Sequence, residues 1–438
     1  MKKLSVLIVL FGCLTQSIAQ KYSLDKVLEL ALENNHNIKV LQNNMVIAEN
    51  NADPGNAGML PQLSLDGGVN YSNNNAKVEL LAQPEPVTIE RDGAESIGAN
   101  VGVGLNWVIF DGMAMFRTYD KLKILVDLED VKTRASVENT LMQVINTYYQ
   151  LASAENNVNV AKESIEITRD RLNRAKAKFE VGGSSSIDLL SAEVDLNTDS
   201  VTLMNSVASV EQAKNNLNQL TGYQLPEGYS IDGDVDIVSE MQLGELTKQA
   251  TANNAQLLNA EYTKITALKD FQVARAGYLP TLALNGQYGL NYQENEVGNL
   301  LSSRNLGYNV GVTLSYPIFQ GNQRKIRSQN AKVNFESSEE LRLNTVDQLR
   351  TDMNNAWINY QKNVSVLAME NRNLVNAEAN FNRTRELYQL GKVTNVQFRD
   401  AQLNFLRSQV SIVNSKYQVR MSEFELIRLS GLLIKREG

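Results

Sequence analysis

The chain has very few of the residues that build catalytic and metal sites. Its 438 residues include one cysteine, Cys13, and one histidine, His36. This scarcity excludes a disulfide framework, cysteine–histidine metal sites and mechanisms that need a histidine base. We therefore expect no catalytic residue, no metal and no cofactor, and we interpret His36 as an ordinary helix residue. The sequence predicts that the protein is not an enzyme.

Positive charge is also in deficit. Lysine and arginine total 42 against 49 aspartate and glutamate residues, a net charge of −7. An acidic balance argues against nucleic acid as a partner. The chain has only seven prolines and 26 glycines, so it is neither collagen-like nor broadly disordered.

Long apolar runs are absent beyond the N-terminus. Two lysines precede an apolar segment at 4–12, and small residues occupy the −3 and −1 positions before residue 20. These features predict a secretory signal peptide at 1–19. The alternative is a lipoprotein, because the residues before Cys13 resemble a lipobox. No later run of 18 apolar residues exists, which excludes transmembrane helices.

The remaining chain is internally duplicated. Residues 58–67 align with 277–286 at an offset of 219, and residues 100–105 align with 309–314 at an offset of 209. A connection near residues 67–100 is therefore longer in the first half. The predicted division is a signal peptide (1–19), a first repeat (20–221), an inter-repeat segment (222–242), a second repeat (243–432) and a C-terminal tail (433–438).

Each repeat contains two segments in which apolar and polar residues alternate. They lie near 63–71, 100–109, 282–292 and 309–318, and apart from Asp66 their second face is small and uncharged. Segments of about ten residues with this pattern are typical of membrane β-barrel strands. Strands of a soluble sandwich also alternate. The secretory signal and the glycine-rich polar face favour the membrane.

Four strands cannot close a barrel, and open sheet edges are not stable in lipid. A membrane location therefore requires an oligomer, in which two chains supply eight strands and three supply twelve. The segments 72–99 and 293–306 are predicted to be exposed loops. Pro84 and Pro86 in the first segment are taken as evidence against a strand.

Long helices follow each strand pair. Residues 113–179 contain no proline or glycine, and apolar residues recur at steps of three and four and then at heptad spacing, as in a coiled coil. At 1.5 Å per residue this helix extends about 100 Å. Its charged faces exclude a transmembrane position. A tethering coiled coil explains the heptads equally well, but it does not explain the strands.

Glycine-containing turns follow each long helix, and a returning helix then runs to about residue 220 or 429. Ser185 with Asp188, and Thr394 with Gln397, fit capping boxes at the starts of the returning helices. Further amphipathic helices are predicted at 23–53 and 243–276, ahead of the strand pairs.

This order of motifs resembles the TolC family of outer-membrane efflux proteins over nearly all of the chain after the signal peptide. The matching motifs include Leu60-Pro61, Leu279-Pro280, Phe110-Asp111-Gly112, Val181-Gly182 and Leu390-Gly391. The resemblance implies an α+β membrane protein, a homotrimer with a twelve-stranded barrel in outer-membrane lipid and a periplasmic α-helical tunnel. It also implies a Gram-negative host, a periplasmic adaptor (membrane fusion) protein and an inner-membrane pump or ABC exporter as partners.

The resemblance further implies a periplasmic gate near the second turn. Tyr388 matches a constriction tyrosine of the family, and Asp400 matches an aspartate that forms a cation-attracting ring. Gln397 stands in place of another aspartate, and Val393 in place of a gate arginine. Asp188 is a gate candidate and also a helix-cap candidate. Tyr388 as coiled-coil core and Asp400 on a solvated face remain alternatives.

The turns Gly182, Gly183, Gly391 and Lys392 are the expected adaptor-docking tips. Together these features predict a passive outer-membrane exit duct for small molecules. The alternatives are a type I protein or peptide secretion conduit of the same fold, and a periplasmic coiled-coil tether.

Overall fold

The computed structural model describes residues 21–81, 84–183, 185–235, 237, 241–298 and 300–434. The predicted signal peptide and Cys13 lie outside the described residues. In chain order the elements are β1 (Lys21–Tyr22), α1 (Leu24–Asn34), α2 (His36–Asn51), β2 (Gln62–Leu80), β3 (Val87–Phe110), α3 (Ala114–Glu180), α4 (Ser186–Leu220), β4 (Ser230–Ile231), α5 (Leu243–Asn253), α6 (Ala255–Ala276), β5 (Thr281–Asn295), β6 (Ser302–Ser315), α7 (Gln323–Gln389) and α8 (Asn395–Leu429). The bounds of α3 and α4, shifted by 209 residues, are the bounds of α7 and α8.

The elements form two compact units. The hairpin unit contains the chain up to Gln42, Thr133–Ala255 and the chain from Val346 onward. The sheet unit contains Asn43–Lys132 and Gln256–Thr345. The long helices α3 and α7 contribute to both units.

The sheet unit contains a four-stranded antiparallel sheet in the order β2-β3-β5-β6. In the described chain β2 and β6 are edge strands with one neighbour each. Their outward apolar side chains are strongly exposed: Leu63, Leu65, Val69, Tyr71, Tyr308, Val310, Val312 and Leu314 are between 60% and 82% exposed. The predicted alternation of an aliphatic face and a polar face is confirmed.

The strands are longer than the sequence predicts. β2 continues to Leu80 and pairs with β3 from Val87, and β5 continues to Asn295. The prediction of loops at 72–99 and 293–306 is therefore wrong for 72–80, 87–99, 293–295 and 302–306, which lie in strands. Polar residues extend the ladder because its hydrogen bonds come from the backbone and need no apolar alternation. Pro84 and Pro86 do lie outside the strands, in the short connection between β2 and β3.

The helices α3 and α7 each span 67 residues, about 100 Å at the usual rise. This confirms the predicted helix at 113–179 to within one residue. In the hairpin unit Val144, Tyr148 and Leu151 are at most 1% exposed, in a core shared with α1, α4 and α8. The heptad positions therefore do form the core there. Phe179 is exposed because α3 ends beside it.

No helix in the described ranges is both long and apolar enough to cross a membrane.

Two asparagines divide the helices predicted at 23–53 and 243–276, so the prediction of continuous helices is wrong. The Asn35 Nδ2 donates to the carbonyl of Leu220 at 2.8 Å, and the Asn254 Nδ2 donates to that of Leu429 at 2.9 Å. The Asn35 Oδ1 also accepts from the backbone N–H of Asn37 at 2.9 Å. Each asparagine thus joins a helix start to the end of a returning helix, which needs residues far apart in sequence.

Glycine is required just after each returning helix, where the backbone approaches the end of α1 or α5. Gly222 and Gly431 have φ of 66° and 72°, the left-handed region that favours glycine. A Cβ on Gly222 would lie 2.7 Å from the Asn34 oxygen, and a Cβ on Gly431 would lie 2.4 Å from the Asn253 oxygen. Conformation and close backbone approach therefore both exclude a larger residue.

We expect Gly431→Ala to lower the unfolding temperature more than Gly391→Ala does. Gly391 has a similar φ of 70°, but nothing lies within 4 Å of its Cβ position. Gly391→Ala should therefore cost only the left-handed strain, about 1–2 kcal/mol, whereas Gly431→Ala adds a backbone clash. Thermal unfolding of both variants in detergent, followed by circular dichroism, measures the difference. Equal unfolding temperatures would contradict the close approach.

Candidate functional site at the helical hairpin tips

Both helical hairpins turn on a left-handed glycine. Gly182 has a φ of 73° and Gly391 a φ of 70°. The next N–H donates back to the carbonyl five residues earlier, at 2.8 Å for Gly183 and 2.9 Å for Lys392. This is the Schellman pattern that ends helices. All four residues are exposed turn residues, and their role in docking stays a prediction.

The returning helices begin with side-chain caps. The Thr394 Oγ1 accepts from the Gln397 N–H at 3.3 Å, and the Gln397 Oε1 accepts from the Thr394 N–H at 2.9 Å. The predicted capping box of α8 is confirmed, and it occupies the Gln397 side chain. On α4 the Ser185 Oγ accepts from the Ile187 N–H at 3.1 Å, not from that of Asp188. The predicted pairing of Ser185 with the Asp188 N–H is therefore wrong.

Each tip exposes apolar side chains. Val181 is 82% and Leu390 68% exposed, and Ile187 is 71% and Val396 69% exposed. The members of each pair are 209 residues apart, so the two tips repeat the same pattern. Exposed apolar side chains at both tips are typical of a surface that binds another protein.

Tyr388 packs inside the hairpin unit. Its ring stacks on Phe398 at a centroid separation of 4.7 Å, and the Lys178 Nζ lies 5.5 Å from the ring centre. Phe398 belongs to an aromatic cluster with Phe381 and Phe405. Burial raises the pKa of the Tyr388 hydroxyl, and the negative charge of Asp188 raises it further against the effect of nearby arginines. In the single chain Tyr388 is thus a half-buried residue that packs against the core of the hairpin unit.

The gate candidates do not share one location in the structure. Asp188 is half-buried in the first turn of α4, where its charge reaches Tyr388. Gln397 and Asp400 are exposed on α8. The residue before Asp400, Arg399, points instead toward the other hairpin. The structure therefore places a bidentate ion pair one residue away from the predicted aspartate.

Arg399 joins the two hairpins through Asp199. Its Nη2 donates to Asp199 Oδ1 at 2.7 Å, and its Nη1 donates to Asp199 Oδ2 at 3.0 Å. Thr168 and Ser164 of α3 also donate to Asp199 Oδ2, at 2.6 and 3.0 Å. Burial raises the pKa of Asp199, but the hydrogen bonds from Arg399 and Thr168 outweigh it and hold the pKa below its usual value. The carboxylate is therefore ionised and fully bound.

A buried arginine, Arg171, extends this network. Arg171 of α3 is 1% exposed and pairs with Asp195 of α4. The Gln402 Nε2 on α8 donates to Thr168 Oγ1 at 3.2 Å. We call this set the hairpin latch: Ser164, Thr168, Arg171, Asp195, Asp199, Arg399 and Gln402. It crosses from α3 and α4 to α8 just behind the tips.

The sequence alone did not predict the latch, because its charged members lie outside the heptad pattern and the family motifs. A comparison of the two repeats does show a difference at two latch positions. At the offset of 209, Arg399 aligns with Leu190, and Asp199 aligns with Ser408. A charged residue in one repeat and an uncharged one in the other marks a contact that the duplication does not share.

Comparison with known proteins identifies the family. The family model "Outer membrane efflux protein" matches residues 27–223 and 246–432. The chain is 23% identical over 449 residues to the outer membrane protein TolC of Escherichia coli (strain K12), across 100% of this chain and 87% of that protein. It is 20% identical over 415 residues to the toluene efflux pump outer membrane protein TtgC of Pseudomonas putida, across 93% of this chain and 83% of that protein.

Solved structures show the same fold. The Campylobacter jejuni CmeC outer membrane channel matches with a TM-score of 0.76 and 20% identity, over 95% of this chain and 87% of that one. CusC matches with a TM-score of 0.75 and 16% identity, over 95% of both chains. The predicted fold class is confirmed. The chain therefore belongs to the outer membrane efflux protein family, and it is a passive, non-enzymatic efflux channel of the outer membrane with its helical portion in the periplasm.

Proposed function

We propose that three copies of this chain close one twelve-stranded barrel and form a duct that carries small molecules out of the cell. The four-stranded sheet with two open edges is the observation that carries this proposal. Open edges are not stable in lipid, because the unpaired backbone groups find no water there. Pairing β6 of one copy with β2 of the next removes every edge, and three copies match the family to which the chain belongs.

The proposed partners are a periplasmic adaptor and an inner-membrane pump. The exposed apolar tips Val181 and Leu390 support docking, since a hairpin tip in contact with water alone gains nothing from apolar side chains. Relatives named as toluene and antibiotic efflux pump proteins support small molecules as the cargo. The chain would supply the passage and its partners the energy.

The proposed gate is the hairpin latch. Arg399 and Asp199 tie α8 to α4, so the second hairpin cannot move away from the first without breaking a buried, bidentate ion pair. Tyr388 lies within reach of the charges of Asp188 and of the latch residue Arg171, so these two gate candidates belong to the same end of the hairpin unit. Asp400, exposed on α8, is free to face the passage and attract cations there.

The proposal is tested by the mass and conductance of the protein purified from outer membranes in detergent. We expect a particle of about three chain masses that forms ion-conducting channels in planar bilayers. A monomer that conducts no ions would contradict both the trimer and the duct.

A further inference from the structure

The polar face of the sheet is almost free of charge. Six successive rows of paired residues cross the sheet on this face. On β2 the first row contains Gln62 and the last row contains Ser72. In these rows every residue on the polar face is Asn, Gln, Ser or Gly, with Asp66 as the single exception. In a membrane barrel this face lines the water-filled interior.

Asp66 stands in a row that is otherwise glycine. Its partners across the sheet are Gly102 on β3, Gly289 on β5 and Gly307 on β6. The strands approach closely there, since a Cβ on Gly289 would lie 2.6 Å from the Val101 oxygen. The row of Gly68 carries amide side chains on all three other strands, and the row of Ser64 carries them on two of the three. At this height the carboxylate is therefore the only side chain that projects from the wall.

The Asp66 carboxylate is held in a defined position. The Ser64 Oγ donates to Asp66 Oδ2 at 2.6 Å. A Cβ on Gly104, the neighbour of Ser64 on β3, would lie 2.9 Å from the Ser64 Oγ and 3.2 Å from Asp66 Oδ2. Glycine at this position leaves the space that the pair occupies. The charge is held against the wall by a hydroxyl donor, with no cation beside it on the polar face of these rows.

We propose that Asp66 makes the barrel interior selective for cations. This inference rests on the proposed trimer, in which three copies of Asp66 lie at one height and form a ring of negative charge in an otherwise neutral wall. Rings of carboxylates favour cations and repel anions. Their effect reaches about 10 Å at 0.1 M salt and about 3 Å at 1 M salt, so the preference should fade as salt is added.

A reporter thiol next to the ring tests the proposal without depending on the periplasmic gate. Asn100 lies on the same face in the next row, and Asn100→Cys introduces the one thiol in the described ranges. Its modification by cationic and anionic methanethiosulfonate reagents of equal size is measured from the extracellular side. We expect Asp66→Asn to lower the ratio of cationic to anionic rates about three- to tenfold at 0.1 M salt, and to change it little at 1 M.

Two further variants separate charge from shape. Asp66→Glu keeps the charge and should keep the ratio, whereas Glu85→Gln, in the connection beyond β2, removes a charge outside the ring and should leave it unchanged. A trimeric preparation in which Asp66→Asn does not change the ratio would overturn the proposal. The mass of the same preparation distinguishes that result from failure of the trimer itself.

Discussion

The double variant Arg399→Leu with Asp199→Ser is expected to raise the conductance of the channel severalfold. Both changes install the residue that the other repeat carries at the aligned position, Leu190 or Ser408. They remove the bidentate contact between α8 and α4 while leaving no charge unpaired. The second hairpin then loses its bidentate ion pair to the first, and we expect the periplasmic end to open more often.

Single substitutions are less informative. Arg399→Leu alone leaves the Asp199 carboxylate buried with two hydroxyl donors only. Breaking one side of a buried ion pair costs about 3–5 kcal/mol, so the single variant tests folding as much as gating. The double variant avoids this penalty.

Single-channel recordings in planar bilayers measure the expected change. Arg383→Gln is the matched control, since Arg383 forms an ion pair with Glu386 on the same hairpin and both side chains are more than 60% exposed. Exposed pairs contribute about 0–1 kcal/mol, and conductance should stay at the level of the unmodified protein. An unchanged conductance in a correctly assembled double variant would show that the latch does not gate the channel.

Acid should weaken the same contact. The pKa of Asp199 is lowered from 3.8 in the folded chain, so its ion pair is intact above the ordinary pKa and is lost only as pH falls through the lowered value. Conductance controlled by the latch should therefore be constant from pH 7 to about 4 and rise in stronger acid. The double variant should lack this rise. A rise centred near pH 6 would implicate another group.

Glutamate at the tips is expected to abolish docking and, with it, efflux. Val181 and Leu390 are the most exposed apolar residues beside the two turn glycines. Burying such a side chain contributes about 1.5–3 kcal/mol, and a charge in its place must be desolvated as well. The variant Val181→Glu with Leu390→Glu should therefore weaken adaptor binding by at least about 100-fold.

Two measurements check the tip prediction. Cells that carry the variant should become sensitive to an exported drug, and a photo-crosslinker at residue 392 should lose its adduct. The matched control Val181→Ile with Leu390→Met keeps the apolar surface and should keep both signals. Conductance of the purified glutamate variant should be normal, because the barrel and the latch are untouched. Normal drug resistance in the glutamate variant would remove the tips from the docking surface.

Local patterns predicted most of the elements. Alternation with period two identified the strands, and heptad spacing without glycine or proline identified α3 and α7 to within one residue. Each of these patterns reflects which side chains of one element are buried, so it can be recognised without knowing which other element packs against it. The resemblance to a family then supplied Tyr388 and Asp400, and the structure places Tyr388 half-buried against the aromatic cluster and Asp400 on an exposed face.

The errors share a cause. The strand continuation to Leu80 depends on backbone pairing with β3, which polar side chains do not reveal. The helix breaks at Asn35 and Asn254 depend on carbonyls 185 and 175 residues away. In each case the deciding hydrogen bond joins two different elements, so periodicity within one element contains no trace of it.

The sequence by itself determined the scarcity of catalytic residues, the duplication, the kinds of elements and the family, because each of these is encoded in composition or local spacing. Only the tertiary structure decided which charges matter. Arg399 and Asp199 are 200 residues apart, and Asp66 is isolated only because glycines face it on three other strands. A buried charge needs a partner, and a lone charge needs neutral neighbours, and both conditions are set when separate elements pack together.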